Sequence, residues 1–482
     1  MKTGYVIVLA VLFAILLAIG IIAFAGPKLL DMKAASEAAK ATPEPAMTPE
    51  PTVEPEPMTN DETIQDEDMT ETEDGPEDAD EPDGEVETSN SFGGPSTPGE
   101  VTIGAVGDIM VMPKQLSGAF EPSSNTYDFS KSFTGVTGMF QSVNLMCGNY
   151  EGTMAGAKYS YSNGQTDSEG RIRFNAPDSF AMDMKKAGFD ILTTANNHAG
   201  DYGLEGIVNT IDAIRNAGML QTGTYKQPED KQDPVIAECN GIKIGILAAT
   251  TVINGNSGLS SSEKKKHFSL LQEMDDIKEQ ISACKSAGAE FIIMFSHWGK
   301  EYETKYFRSA DAYAKKLFTA GVDMIIGSHP HVVEPFKYVT VKRDDGSSFT
   351  GLVVSSLGNF LANMSGTSQY EMYLQVTIKR KDDGSVVLNQ ASYMPLLCFS
   401  KDIRVPIPGA EPEMNKDGVM EVPSIKSVMH EVVPALSDTS LIKSYSDLEE
   451  KELSMIQNAR EFVIGVCGTD VIPVMEDSCW IN

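Results

Sequence analysis

The chain has 482 residues and a net charge of −31, but the acidity is uneven: residues 41–100 hold 20 Asp and Glu with no Lys or Arg, residues 1–40 carry +2, and the rest carries −13. A nucleic-acid-binding surface needs a basic stripe, and the nearest approach to one, Lys264-Lys265-Lys266, reads as a solvated helix start. Six cysteines without a CxxC pair argue against zinc-ribbon or thioredoxin-like chemistry; Cys284 reads as a core residue, and Cys467 and Cys479 could pair in an oxidising compartment.

Residues 5–25 are an uncharged, nearly all-apolar run. At about 1.5 Å per residue such a run spans the roughly 30 Å core of a bilayer. Its length favours an uncleaved anchor over a secretory signal, although Ala23-Phe24-Ala25 resembles a cleavage pattern. We read 1–30 as a transmembrane anchor. Residues 31–100, rich in Pro, Glu and Asp, read as a disordered linker, because like charges and few apolar residues cannot pack a core. It serves either as a spacer or as a merely solubilising segment.

A body spans 101–400, with a C-terminal extension over 401–482. Val101 to Val106 reads as a buried strand running into Gly107-Asp108. From there apolar strands alternate with helical patterns to about residue 362, which predicts an α/β layered fold. Helices are predicted at 181–188, 204–218 and 306–321, each closing on a glycine. Residues 370–398 predict a β-hairpin around Asp382-Asp383-Gly384, and 446–463 an amphipathic helix.

Three segments repeat one script: Ala-Gly, an acidic residue within two positions, a short apolar strand, then ligand-type side chains. They are Ala187 to His198, Ala287 to His297 and Ala320 to His331. In an open α/β sheet, ligands gather beyond the carboxyl ends of strands. Four of the six histidines (His198, His297, His329, His331) fall there, joined by Asp108 after the first strand, Glu151 and Asn197. A single strand-end His is more often structural. Five clusters together predict a divalent-metal site with carboxylates to bridge ions and imidazoles to hold them. His267 and His430 lack any such pattern and are expected at the surface.

The segments Gly107-Asp108-Ile109-Met110, Gly148-Asn149-Tyr150-Glu151-Gly152, Arg173-Phe174-Asn175-Ala176-Pro177, Ala195 to Gly203, His297 to Tyr302, Gly327 to Val332 and Ser356 to Phe360 together resemble the CapA-type capsule and poly-γ-glutamate biosynthesis family. That family is a branch of the calcineurin-like metallophosphatase superfamily, and the likeness covers about 101–362. The resemblance implies a four-layer α/β/β/α sandwich with two divalent ions, among which Mn, Fe and Zn cannot be told apart. Glu151 would bridge them, Asp108 and His331 would hold one, and Asn197, His297 and His329 the other. His198, oriented by Asp201, would be the substrate-side acid or clamp. Substrate contacts are expected from Arg173, Trp298 and Asn359. Each has a plainer alternative: Arg173 could pair with Asp178 or Asp190, Trp298 could simply pack beside the site, and Asn359 could hydrogen-bond the metal shell or cap a turn.

The chain departs from the general superfamily in two places. Met110 stands where an Asp-x-His histidine is usual, and Glu151 where Asp is usual. One ion position is thus poorer in nitrogen, which speaks against an ordinary secreted phosphoesterase. The expected function is a membrane-anchored protein whose extracellular domain has a metal-dependent hydrolase- or transferase-type site acting on an anionic extracellular polymer, within a capsule synthesis or export complex. The alternative is a non-catalytic polymer-binding or export subunit. No nucleic-acid partner is expected.

Overall fold

The structure, a computed structural model, describes residues 92–477 apart from 163–165, 167–169, 171, 256, 306–307, 407–408, 415–419 and 443–447. The predicted span at 5–25, the linker as far as 91, and Cys479 with its possible bond to Cys467 lie outside the described residues. Among the described residues no helix is long and apolar enough to cross a membrane.

In chain order the main elements are strands β1 (Glu100–Ile109) and β2 (Leu145–Tyr150), helix α1 (Ser179–Ala187), β3 (Ile191–Thr193), α2 (Gly203–Asn216) and β4 (Leu220–Thr222). Then come β5 (Val235–Cys239), β6 (Ile242–Thr250), α3 (Met274–Ser286), β7 (Phe291–His297), α4 (Arg308–Ala320) and β8 (Met324–Ser328). The chain continues through β9 (Val333–Lys342), β10 (Ser348–Leu357), β11 (Asn359–Leu361), β12 (Tyr370–Arg380), β13 (Val386–Pro406), β14 (Ser424–Pro434) and α5 (Glu450–Cys467). One sheet runs β14-β13-β12-β1-β2-β3-β4, with β11 also beside β1; the other runs β9-β10-β8-β7-β6-β5. The pairs β1–β2, β2–β3 and β3–β4 are parallel, as are β6–β7, β7–β8 and β8–β10. The expected mixed α/β class holds.

The layering follows from strand alternation. Val101, Ile103 and Ala105 on one face of β1 meet Ile244, Ile246 and Ile293 of the other sheet in one buried cluster. On the outer face of the first sheet, Val106 and Ile109 join Phe180, Met184 and Ile214 of α1 and α2. On the outer face of the second, Met294 and Ile325 join Ile281, Leu317 and Phe318 of α3 and α4. Each such fully buried side chain contributes about 1.5–3 kcal/mol.

The repeated script has a structural cause. Gly188, Gly288 and Gly321 adopt φ of +114°, +88° and +116°, the left-handed turn that ends a helix and that glycine adopts without strain. The acidic residue then ties its strand to the neighbouring one. Asp190 Oδ2 accepts from Met146 N–H at 3.0 Å, Glu290 Oε2 from Lys243 N–H at 3.1 Å, and Asp323 Oδ2 from Ile292 N–H at 2.8 Å. The parallel strands therefore start in step and end in step.

Three expectations need correcting. Strand β13 runs unbroken through residue 400 and pairs with β14 from Leu396–Pro434 to Pro406–Ser424, so part of the supposed C-terminal extension completes the first sheet. The linker does not stay free to residue 100: Asn144 Nδ2 donates to the carbonyls of Gly93 and Pro95, and Phe92 packs on the inter-sheet core. His267 and His430 are buried, not superficial. His267 Nδ1 lies 3.0 Å from Tyr225 O, and His430 Nε2 lies 2.9 Å from Asn363 Oδ1. An isolated imidazole on a strand or short helix carries no periodic signal that distinguishes a satisfied interior position from a surface one.

Candidate metal centre

Every ligand-type residue singled out in the sequence sits at or just beyond the carboxyl end of a parallel strand. Asp108 is on β1, Glu151 follows β2, Asn197 and His198 follow β3, His297 ends β7, and His329 and His331 follow β8. Two glycines let the strand ends approach closely. A Cβ on Gly107 would lie 1.9 Å from Gly358 O, and one on Gly327 would lie 1.8 Å from Ser355 O, so neither position admits a side chain.

Two buried groups of potential ligand atoms result, each within 4.8 Å: Glu151–His297–His329 and Asp108–Glu151–His331. They share Glu151. Asn197 joins the first, its Oδ1 being 2.8 Å from His297 Nε2. Two donors sharing one ion at about 2.1 Å each lie about 3 Å apart, so this spacing suits a common cation. His331 donates from Nδ1 to Asn359 Oδ1 at 2.9 Å, which leaves Nε2 aimed at Glu151 Oε1, 3.8 Å away.

The donor set fits divalent cations on an observation of its own. Among the described residues, neither carboxylate oxygen of Glu151 nor Nδ1 of His329 has a hydrogen-bond partner, although all three atoms are buried. A bare buried carboxylate is costly unless something charged meets it. Burial and the neighbouring Asp108 push the Glu151 carboxyl well above its ordinary value. Burial lowers His329 to about 4 and holds His297 well below the ordinary imidazole value, so both present lone pairs at neutral pH. Burial also opposes charge on His331, but Glu151 and Asp108 reverse that and push it up to about 10. The carboxylates call for positive charge, and without an ion they draw it from a proton.

The ligand segment is strained. His329 and His331 have φ of +101° and +58°, a region costing non-glycine residues about 1–3 kcal/mol each where the surroundings impose it. The surroundings do impose it: His329 N–H donates to Asp108 Oδ2 at 3.0 Å, and Trp298 N–H donates to Ser328 O at 3.0 Å.

Beside the two groups, Asp201 Oδ2 lies 2.8 Å from His198 Nδ1 and accepts Phe174 N–H at 2.9 Å. The carboxylate fixes the Nδ1 proton, so Nε2, 3.5 Å from Asn254 Nδ2, is the ring nitrogen that carries the lone pair. The His198 side chain is 12% exposed, enough to meet a ligand. Phe174 packs its ring 4.4 Å from the imidazole.

Two substrate assignments do not survive. Trp298 is fully buried and donates its indole N–H to Ser355 O at 3.0 Å, so it cannot be a stacking platform. Asn359 is buried, orienting His331 and donating to Ser368 O at 2.9 Å, and cannot reach a substrate. Arg173 lies over the Tyr202 ring at 5.6 Å, and Asp190 is engaged instead by Lys185.

Other residues were not legible as participants. Asn149 donates from Nδ2 to Asp108 Oδ1 at 2.7 Å, with the same nitrogen 3.2 Å from His297 Nδ1, and so ties the two groups together. Its place beside Glu151 in the Gly-Asn-Tyr-Glu segment was the available signal. Asn254, whose Nδ2 lies 3.4 Å from His198 Nδ1, comes from a loop with no signal at all. Met110 is buried with Phe174 and Ala362 in an apolar cluster flanked by Met112 and Met364.

Paired sheets whose strand ends carry two overlapping acid–histidine groups define an α/β protein with a candidate metal centre. The chain belongs to the family described as bacterial capsule synthesis protein PGA_cap, whose model matches residues 102–364. It is 28% identical to the capsule biosynthesis protein CapA of Bacillus anthracis over 60% of this chain and 66% of that one. It is also 28% identical to the PGA biosynthesis protein CapA of Bacillus subtilis (strain 168), over 58% of this chain and 68% of that one. Among solved structures, the calcineurin-like phosphoesterase YfkN of Bacillus subtilis aligns with a TM-score of 0.36 and 17% identity, over 61% of this chain and 90% of that one.

Proposed function

We propose that the protein is a membrane-anchored member of a capsule or poly-γ-glutamate synthesis system, with an extracellular metallophosphatase-type sandwich that binds two divalent ions and acts on an anionic polymer as a hydrolase or transferase. The observation that carries this reading is Glu151: a buried carboxylate with no hydrogen-bond partner among the described residues, shared by two ligand groups. Asp108, Glu151 and His331 would hold one ion; Glu151, Asn197, His297 and His329 the other. When bound, the ions would supply Lewis acidity to a substrate oxyanion and lower the pKa of water.

The chain's own side chains define the rest. Asp201 keeps His198 in one tautomer, so that Nε2 can hold or release a proton at the substrate side. Asn149 fixes the Asp108 carboxylate, and Asn359 fixes the His331 ring. Arg173, one residue from the Phe174 that packs on His198, offers a cation to an anionic chain. The acidic tract before residue 92 would hold the body away from the membrane.

Metal analysis of the full chain tests this. Wild type is expected to retain about two divalent ions, and His297→Ala and His331→Ala each to lose at least one. Equal metal content in all three would overturn the proposal. One observation favours a second reading, a polymer-handling subunit without turnover: Met110 sits in an apolar cluster and leaves the Asp108 group a single imidazole. With Mn²⁺ present, polyglutamate binding without cleavage of a phosphodiester or a γ-glutamyl bond would select that reading.

A further inference from the structure

The segment after His297 leaves the core and crosses the strained histidine pair. Gly299, with φ +105°, lies against Pro330, whose Cγ would be 3.0 Å from a Cβ there. Tyr302 N–H then donates to Pro330 O at 2.7 Å, the carbonyl between the two strained histidines. Tyr302 itself has φ +66° and is 59% exposed, with its ring 5.9 Å from that of His331 at an interplanar angle of 38°.

This combination is hard to explain by stability. A left-handed conformation disfavours a bulky residue relative to glycine, and asparagine tolerates it better. The anchoring hydrogen bond uses only the backbone and would survive any non-proline side chain. An aromatic ring more than half exposed recovers little burial energy. A residue kept in a sparsely populated conformation beside ligand-type side chains points to a role in binding.

We propose that Tyr302 is a specificity-determining residue: its ring forms the wall on the His331 side of the metal centre and packs against the organic group attached to the substrate's oxyanion. This deepens the metal-centre reading and rests on it. The ring does not meet the oxyanion itself, whether phosphate or carboxylate. It meets the flat or methylene segment next to it, as an aromatic face meets an aromatic ring or an amide plane. The ring thereby distinguishes a substituted anion from a bare one, a choice that Trp298, sealed in the core, cannot make.

The test uses the full chain loaded with Mn²⁺ and three probes: inorganic phosphate, phenylphosphonate and γ-glutamyl-glutamate. Tyr302→Asn is expected to weaken binding of phenylphosphonate or of the dipeptide by about three- to tenfold, and to leave inorganic phosphate and metal content unchanged. Which of the two organic probes responds identifies the phosphoryl or carboxyl source. Tyr302→Phe is expected to retain wild-type affinity, and the melting temperature of Tyr302→Asn to equal or exceed that of wild type. Unchanged affinity for both organic probes in Tyr302→Asn overturns the proposal, as does equal weakening for all three probes or a lower melting temperature. A wild type that binds no probe in a metal-dependent way rejects the metal-centre reading itself, and this proposal with it.

Discussion

Glu151→Gln is expected to weaken both ion positions together, by more than about 100-fold in affinity. The basis is topological. His297 and His331 each serve one group, whereas Glu151 is common to both. Replacing even a supporting residue around a bound metal typically costs about 10- to 100-fold, and a shared charged ligand should cost more. Glutamine keeps the volume, so the loss cannot be assigned to a cavity. Its amide leaves one oxygen able to coordinate and turns the other position into a donor facing ligands that are themselves basic. Isothermal titration with Mn²⁺ checks the result, with thermal melts in chelator and in excess metal beside it. The metal-induced rise in melting temperature should vanish in Glu151→Gln, because an ion stabilises only the state that binds it. A variant that still binds one ion with wild-type affinity would mean that Glu151 does not bridge.

Much of this centre was readable in the sequence because parallel strands impose a simple rule: residues just past the last apolar position of each strand lie at the same end of the sheet. Asp108, Glu151, Asn197, His297, His329 and His331 all obey it. The grouping of those six into two sets came from the family resemblance, since nothing in spacing alone could say that Asp108 and His331, more than two hundred residues apart, would share a partner. The acidic residue of each script was legible as a marker but not in its role. It is a backbone clamp, as Asp323 Oδ2 on Ile292 N–H shows, and a clamp on a neighbouring strand cannot be seen without knowing which strand is the neighbour.

The misread positions have physical reasons. Trp298 comes directly after a ligand histidine in sequence, yet the chain turns at that residue and buries the indole against Ser355, whereas Tyr302, four residues on, returns to the rim. Exposure after a turn depends on φ at Gly299 and Tyr302, which composition does not fix. The boundary at 400 failed because β13 is long and passes from one partner, β12, to another, β14; a strand changing neighbours has no punctuation in its sequence. Asn359 fails as a substrate contact, but the other reading of it, a hydrogen bond to the metal shell, holds: it faces His331 rather than the cleft.

Ion affinity is expected to rise steeply with pH across a range where an ordinary histidine site would be flat. Without metal, burial alone would keep His331 neutral, but Glu151 and Asp108 push it from the usual 6.5 up to about 10. A raised histidine stabilises the folded chain fully below its unfolded value and loses that contribution as pH climbs through the folded one, so the metal-free protein should weaken between those limits. An ion must displace the same proton, because the imidazole coordinates only when its Nε2 is bare. Affinity at the Asp108–Glu151–His331 position should therefore increase about tenfold per pH unit from pH 7 to 8.5, with about one proton released per ion. His297 and His329 are already neutral and add nothing to this slope. Titrations in Tris and in HEPES, whose ionisation enthalpies differ, count the proton directly. An affinity constant across that range, with the same heat in both buffers, would show that His331 carries no proton for the metal to replace, and that the charge of the pocket is balanced in some other way.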